Sequence, residues 1–134
     1  MGAFHALLGF TGWTMLLVLM VFAYRGVRLL TGTPINSWGR GAKTAEDPVF
    51  IKRVEDAHAN ALENLPLFAV IVLSAAALGK LDAINGLAPI VLAARVGQSL
   101  IHLSGTNPLQ VLIRATFWGV QLILFFVMLA KLFA

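Results

Sequence analysis

The sequence contains no cysteine and few charged residues, and both absences narrow the range of possible functions. Without cysteine the chain forms no disulfide, no cysteine-ligated zinc or iron–sulfur site and no cysteine nucleophile. Any thiol chemistry must therefore arrive with a ligand. Charged residues make up 12% of the 134 residues, against about 25% in soluble domains, and 59% are hydrophobic. The composition indicates an integral membrane protein.

Long apolar runs set the expected architecture. A spanning helix needs about 20 mostly apolar residues, and the sequence offers four such runs, at 6–27, 60–79, 84–103 and 110–133. No Lys or Arg precedes the first run and no small-residue cleavage site follows it, so we interpret it as a mature helix and not as a signal peptide. We find no extra soluble domain or repeat. The sequence predicts one all-α domain over residues 1–134, a bundle of four transmembrane helices.

Basic residues gather in and beside the segment between the first two runs. By the positive-inside rule this first loop is cytoplasmic, and a bacterial source would place the multi-pass chain in the inner membrane. Lys80 and Lys131 weaken this orientation. We attribute the basic residues to topology and to membrane lipids with anionic headgroups, and expect no nucleic-acid partner. The residues are Arg25, Arg28, Arg40, Lys43, Lys52 and Arg53.

A stripe of polar side chains runs into the second apolar segment. At about 100° per residue, its four members fall within roughly a quarter of the helix circumference. Such groups are costly in lipid and usually face a partner or a polar cavity, although they can also join helices structurally. The stripe is therefore a candidate functional site. Its residues are Arg53, Asp56, Asn60 and Glu63.

The later helices repeat this pattern at the same end of the predicted bundle. Spacings of three, four and seven residues place several polar side chains on one face of the third helix, and the fourth helix adds another polar face. All four helices thus bring polar or cationic groups to one membrane boundary. The third helix contributes Arg95, Gln98, Ser99 and His102, the fourth Arg114, Trp118 and Gln121, and the first Arg25 and Arg28.

This arrangement suits a water-soluble anion that meets a lipid-soluble partner. One arginine can donate two parallel hydrogen bonds to a carboxylate. Asn60 can both donate and accept hydrogen bonds, and Glu63 can bind an ammonium group or form an ion pair with an arginine. A zwitterionic peptide would satisfy all of these groups. Arg95 and Arg114 can be ligands or structural residues, whereas Arg25 and Arg28 are better explained as anchors that extend to the membrane surface.

One segment carries a resemblance to a known family. The run from Arg53 to Pro66 contains the pattern Ala-His-x-Asn-x-x-Glu-Asn-x-x-Pro, and an Ala-Arg-Val sequence around Arg95 precedes the polar face of the third helix. The chain resembles the MAPEG family, the membrane-associated proteins of eicosanoid and glutathione metabolism, and most of all its small bacterial members. The resemblance covers essentially the whole chain.

The resemblance implies a homotrimer that binds glutathione as co-substrate between neighbouring protomers, with a hydrophobic small-molecule substrate approaching from the lipid. The implied activity is that of a glutathione-dependent transferase or peroxidase acting on hydrophobic electrophiles or lipid hydroperoxides. Arg114 would hold the thiolate as the catalytic residue, and no metal is expected. The implied glutathione-binding residues are Arg53, Asn60, Glu63, Arg95, Gln98 and His102.

Departures from the family pattern keep alternatives open. Asp56 stands where relatives often have Arg, His102 stands where some have Tyr, Trp118 falls near another tyrosine position, and Tyr24 is the only tyrosine. These differences favour the alternative of a non-catalytic member that binds a lipid, a peptide or a partner.

Two further alternatives have less support. A proton-coupled transporter would use Glu63 and His102 as relays, but polarity gathers at one boundary instead of crossing the bundle. A haem or metal carrier would use His5, His58 and His102, which lack the spacing of helical ligand pairs.

Overall fold

Helices account for nearly all of the structure, a computed structural model that describes residues 1–134, and no strand is present. This confirms the predicted all-α class. Four helices are long and two are short. The elements are α1 (Ala3–Leu30), a 3-10 helix (Ile35–Trp38), α2 (Val49–Ala77), α3 (Leu81–Ile84), α4 (Ala88–Ser104) and α5 (Pro108–Phe133).

Local sequence signals explain most helix ends. Past the ends of α1 and α2, Gly32 and Gly79 adopt φ angles of +103° and +67°, which glycine tolerates because it has no Cβ. At the start of α5 the Asn107 side chain accepts from the Gln110 backbone N–H, and the Gln110 side chain accepts in return from the Asn107 backbone N–H. This capping box fixes the turn between α4 and α5.

An acidic residue followed by proline commonly precedes a helix, so the sequence predicts that Asp47 and Pro48 cap the start of α2. The helix does begin directly after Pro48, but no side chain caps it. The Asp47 carboxylate accepts instead from the Trp38 indole and pairs with Lys43. The Asp47 carboxylate therefore stabilises the loop and does not cap the helix.

Four long helices form the bundle, and the prediction that all four span the membrane stays a prediction. Three helices, α1, α2 and α5, are long and apolar enough to cross a membrane. The predicted run 84–103 is interrupted by a turn at residues 85–87, so that α4 keeps only 17 residues. At 1.5 Å per residue α4 is about 26 Å long, which is shorter than a hydrocarbon core of about 30 Å.

Apolar contacts hold the four long helices together. α1 packs mainly against α2, and α4 mainly against α5. The Phe68 ring lies at the centre, with its centroid 5.5 Å from that of Phe10 and 6.0 Å from that of Phe125. Large apolar side chains also cover the outer surface, including Phe22, which is 74% exposed. Such an exterior fits contact with lipid.

The polar residues of the bundle gather where α1 ends and α2 begins. α4 ends and α5 begins there too, because the long helices alternate in direction. We call this the loop end, after the loop of residues 31–48. The opposite end is closed in part by Lys80, whose Nζ donates to the Leu132 carbonyl at 2.9 Å. The loop end therefore contains the candidate site.

A set of charged and aromatic side chains, which we call the loop clamp, fixes the loop to α1 and α2. Arg25 Nη2 lies 2.9 Å from Glu55 Oε1, and Lys43 Nζ lies 3.3 Å from Glu55 Oε2 and 2.7 Å from Asp47 Oδ2. Trp38 Nε1 donates to Asp47 Oδ1 at 3.0 Å. The loop clamp contains every ion pair of the chain.

The loop clamp shifts the pKa of two of its members. Burial alone would raise the pKa of Asp47, but hydrogen bonds from Lys43 and Trp38, with the charges of Lys43 and Arg25, hold it below its ordinary value of 3.8. The hydrogen bond to Asp47, opposed by burial and assisted by Glu55, raises the pKa of Lys43 above 10.5. Asp47 contributes to the stability of the folded state at pH values above the pKa that it has in the unfolded chain. This contribution is lost as the pH falls through the lower pKa that Asp47 has in the folded chain.

The loop clamp is therefore expected to hold at neutral pH and to release the loop only below about pH 3.8. Trp38 fluorescence, measured in a Trp13→Phe, Trp118→Phe background, should stay constant from about pH 7 to 5 and change only below about pH 3.8. Asp47→Ala should give the released spectrum at neutral pH. A transition near pH 6 that persists in Asp47→Ala would contradict this assignment.

Candidate functional site

A chain of side-chain hydrogen bonds, which we call the amide network, crosses the interior at the loop end. Asn60 Oδ1 on α2 accepts from Arg95 Nη1 at 2.6 Å and from Gln98 Nε2 at 3.1 Å, both on α4. Gln121 Nε2 on α5 donates to Gln98 Oε1 at 2.8 Å. The network thus joins three helices through Asn60, Arg95, Gln98 and Gln121.

Arg95 is the most unusual member because its charge is almost completely buried. The residue is 1% exposed, and its guanidinium lies 5.3 Å from the centroid of the Phe10 ring. Its Nε and Nη2 groups have no hydrogen-bond partner. Glu63 is near enough to attract the charge electrostatically, but no ion pair joins the two residues. Since a buried charge without an opposite charge beside it is costly, Arg95 is a strong candidate for a functional group.

Charged residues from α2 and α5 surround His102 at the end of α4. The His102 side chain is buried, and the charges of Arg114, Asp56 and Arg53 all act on it. Asp56 and Arg53 lie one helical turn apart on α2, but no ion pair joins them. We call these four residues the outer ring. Three of its members are charged and form no ion pair within the chain, so the outer ring can bind a charged ligand or contact a second chain.

A cleft opens between the amide network and the outer ring. It has a volume of about 340 Å³. Asn60 and Gln98 supply polar groups from the network, and Arg114 supplies a half-buried guanidinium from α5. Trp118, which is 40% exposed, adds an aromatic wall. The cleft therefore offers amide groups, one positive charge and one apolar surface to a small ligand.

The predicted site residues fall into three groups in the structure. Hydrogen bonds connect Asn60, Arg95 and Gln98 in the amide network. Arg53, His102 and Arg114 lie in the outer ring, where Arg114 also lines the cleft.

Glu63 forms the third group, since its side chain is exposed on α2 and lines no part of the cleft. The roles assigned to all these residues stay predictions.

Two residues outside the predicted set contribute to the site. Gln121 is 1% exposed and closes the amide network, and its Nε2 also donates to the Phe117 carbonyl at 3.1 Å. Asn64 Nδ2 donates to the Asn60 carbonyl at 3.1 Å and steadies that part of α2. The sequence signal that could have identified Gln121 as a site residue is its amide in the middle of an apolar helix, on the same helix face as Arg114.

An apolar groove of about 280 Å³ follows the seam between α2 and α5. Leu67, Val70 and Ile71 form one wall. Leu122 and Phe126 belong to the other wall, and Leu122 directly follows Gln121 of the amide network. The seam thus changes from polar to fully apolar within about one helical turn. A molecule with one polar and one hydrophobic part would fit this change.

Comparison with known proteins places the whole chain in one family. The family model described as MAPEG family matches residues 3–134. No curated protein and no solved structure matches the sequence significantly. The match confirms the resemblance found in the segment from Arg53 to Pro66, and with three helices able to span a membrane it indicates a multi-pass membrane protein. The chain belongs to the MAPEG family.

Proposed function

We propose that this protein is a membrane-bound glutathione-dependent transferase or peroxidase that acts on hydrophobic electrophiles or lipid hydroperoxides. The single observation that carries the proposal is the cleft at the loop end, where Arg114 faces the amides of Asn60 and Gln98 with the buried charge of Arg95 behind them. An anionic, water-soluble co-substrate would enter there, next to the apolar groove.

The charges around the cleft fit the groups of glutathione. The tripeptide carries two carboxylates and one ammonium group. Arg53 would donate two hydrogen bonds to one carboxylate, and the buried charge of Arg95 would attract the carboxylates from behind the amides without touching them. Glu63, which is exposed and has no ion-pair partner in the chain, would bind the ammonium group. The fit supports a zwitterionic peptide over a simple anion.

Assembly as a homotrimer is part of this proposal. A volume of 340 Å³ is near the lower limit of about 300–1,000 Å³ for small-ligand sites, so one chain offers only part of a tripeptide site. A neighbouring copy would supply the remaining wall against the exposed face of α2 that carries Asp56 and Glu63. Glutathione would then be bound between protomers.

Arg114 would hold the sulfur of glutathione as a thiolate. A free thiol has a pKa near 8.5, so only a few per cent is ionised at neutral pH, and an adjacent guanidinium raises that fraction. The thiol proton leaves to solvent. In the transferase reaction, the sulfur forms a bond with an electrophilic carbon whose leaving group departs with its electron pair.

In the peroxidase reaction, the sulfur attacks the terminal hydroperoxide oxygen and the O–O bond breaks. The lipid leaves as an alcohol after its oxygen gains a proton, and glutathione is oxidised to a sulfenic acid. A second glutathione converts this acid to the disulfide and water. The chain itself would hold the thiolate near Arg114 and admit the lipid along the apolar groove.

The proposed orientation places the loop end in the cytoplasm, where glutathione is made and kept reduced. The excess of basic residues in and beside the loop supports this orientation. In a bacterial source the protein would lie in the inner membrane.

A non-catalytic role is the second candidate, and the position of Tyr24 favours it. This only tyrosine of the chain lies near the end of α1, where its hydroxyl accepts from Arg28 Nη1 at 2.6 Å. It lines no part of the cleft, which has Trp118 as its aromatic residue. Without a nearby hydroxyl to assist the thiol, the cleft would bind a peptide or a lipid without turnover.

Calorimetry with the purified protein in detergent tests the proposal. We expect glutathione to bind with an ultraviolet thiolate band and Glu63→Ala to weaken binding at least about tenfold, since it removes one charged contact. Glu46→Ala, another exposed acid but in the loop, is the matched control and should bind as the unsubstituted protein does.

The outcomes separate the two candidates. Binding with neither a thiolate band nor turnover of electrophiles and hydroperoxides would favour the non-catalytic role. No binding by folded protein would reject the proposal, and equal binding by Glu63→Ala would reject the role of Glu63.

A further inference from the structure

Two neighbouring hollows on the outer face of α1 share Phe22 in their linings, and we call them together the α1 groove. The upper hollow, about 410 Å³, lies between the end of α1 and the 3-10 helix. The lower hollow, about 540 Å³, continues along α1 as far as Gly12. Phe22 lines both hollows. The α1 groove is on a different face from the cleft and shares no residue with it.

The two parts of the α1 groove differ in chemistry. Met15, Leu19 and Phe22 give the lower hollow an almost entirely apolar lining. The upper hollow contains Arg25 and Asn36 beside apolar residues. The groove is therefore amphipathic along its length, with its polar part at the loop end.

The length of the apolar part matches one leaflet of a membrane. Gly12 and Phe22 are ten residues apart on one continuous helix, which corresponds to about 15 Å at 1.5 Å per residue. Half of a hydrocarbon core of about 30 Å is the same distance. An acyl chain that starts beside Phe22 would therefore end near Gly12, close to the middle of the bilayer.

The polar part offers donors to an anionic headgroup. Arg25 is held in place by Glu55 through Nη2, and its guanidinium lies 5.8 Å from the centroid of the Trp38 ring. Its Nε group is buried but has no hydrogen-bond partner. The exposed amide of Asn36 lines the same hollow. Residues 25–55 also contain six basic side chains against three acidic ones, so the surroundings favour a negative ligand.

We propose that the α1 groove binds an anionic glycerophospholipid from the leaflet at the loop end. Its phosphate pairs with the partly exposed Arg25 guanidinium and accepts from the Asn36 amide, and one acyl chain lies along Phe22, Leu19 and Met15. The lipid would contact the 3-10 helix and α1 together, and thus add to the attachment made by the loop clamp. This site does not depend on the proposed glutathione chemistry.

Two substitutions test the two parts of the α1 groove separately. A Cβ added at Gly12 meets no atom within 4 Å, so Gly12→Leu should fold normally and fill the lower hollow. Gly119→Leu is its matched control, because Gly119 on α5 also has open space. Asn36→Asp places a negative charge in the upper hollow without changing its shape. Ala42→Asp adds the same charge at an exposed loop position that does not line the hollow.

The measurement is native mass spectrometry of the delipidated protein in detergent, titrated with phosphatidylglycerol or phosphatidylcholine. We expect several-fold tighter retention of phosphatidylglycerol, and at least a fivefold loss of it in Gly12→Leu and in Asn36→Asp. Both control variants should retain the lipid as the unsubstituted protein does. Circular dichroism checks that every variant is helical.

Three results would overturn the proposal. Equal retention of the two lipids would show that the groove does not select an anionic headgroup. Unchanged retention of phosphatidylglycerol in both Gly12→Leu and Asn36→Asp would show that the lipid binds outside the α1 groove. A change of oligomeric state in Gly12→Leu with unchanged lipid retention would assign the α1 groove to a second copy of the chain.

Discussion

Replacing Asn60 by leucine is expected to lower the free energy of unfolding by about 3 kcal/mol. The Asn60 Oδ1 atom accepts from both Arg95 and Gln98, so its loss leaves two buried donors without an acceptor. One of these donors belongs to a guanidinium that is 1% exposed, and hydrogen bonds to charged groups contribute more than bonds between neutral groups. Few single substitutions in this bundle should have a larger effect on stability.

Denaturant unfolding in detergent measures this effect, and two variants identify its cause. Asn60→Asp keeps an acceptor oxygen in the same place and should retain most of the stability. Adding Arg95→Met to Asn60→Leu removes the stranded charge and should recover part of the loss, because an apolar side chain of similar length needs no acceptor. Equal destabilisation by Asn60→Leu and Asn60→Asp would show that the hydrogen bonds are not responsible.

Replacing Arg114 by alanine is expected to reduce turnover of a hydrophobic electrophile at least about tenfold, which corresponds to one unit of thiol pKa. Arg114 lines the cleft and is the residue proposed to hold the thiolate. The loss should appear mainly as a smaller thiolate signal per bound glutathione, with a lesser change in affinity, because other groups would bind the peptide's carboxylates and ammonium.

Two controls make this result specific. Arg114→Lys keeps a positive charge and should retain part of the thiolate signal. Arg40→Ala removes an exposed arginine from the loop, away from the cleft, and should have no effect. The same thiolate yield per bound glutathione in Arg114→Ala would assign the thiolate to another group and leave Arg114 a structural role.

Much of the site could be predicted because polar residues in apolar helices are few and expensive. Spacing alone predicts polar faces at the same end of the bundle for the helix of Asn60 and for that of Arg95 and Gln98, and the structure joins the three residues through one oxygen atom. Successive long helices of a membrane bundle run in opposite directions. The grouping of the polar residues at one end could therefore be predicted as well. The capping box at Asn107 and the glycines beyond α1 and α2 mark boundaries that the sequence states locally.

Other features depend on tertiary contacts that spacing does not contain. The run 84–103 is mostly apolar, yet a turn at residues 85–87 divides it, and there the Asn85 side chain accepts from the backbone N–H of Ala3 on α1. Asp47 looked like a helix cap because of its position before Pro48, but Trp38 and Lys43 compete successfully for its carboxylate. The Asn85 contact joins two distant segments, and the Asp47 contacts depend on how the loop folds back on itself.

The shortness of α4 has a consequence for how the protein enters a membrane. A helix of 17 residues that contains Arg95, Gln98 and His102 is a poor candidate for insertion on its own, since a central arginine costs about 2.5–3.5 kcal/mol in that process. The three residues between α4 and α5 join it closely to a helix that is strongly apolar. Insertion of α4 therefore relies on α5 as a hairpin partner, and Arg95 reaches its acceptor on α2 only after the hairpin has docked against α2.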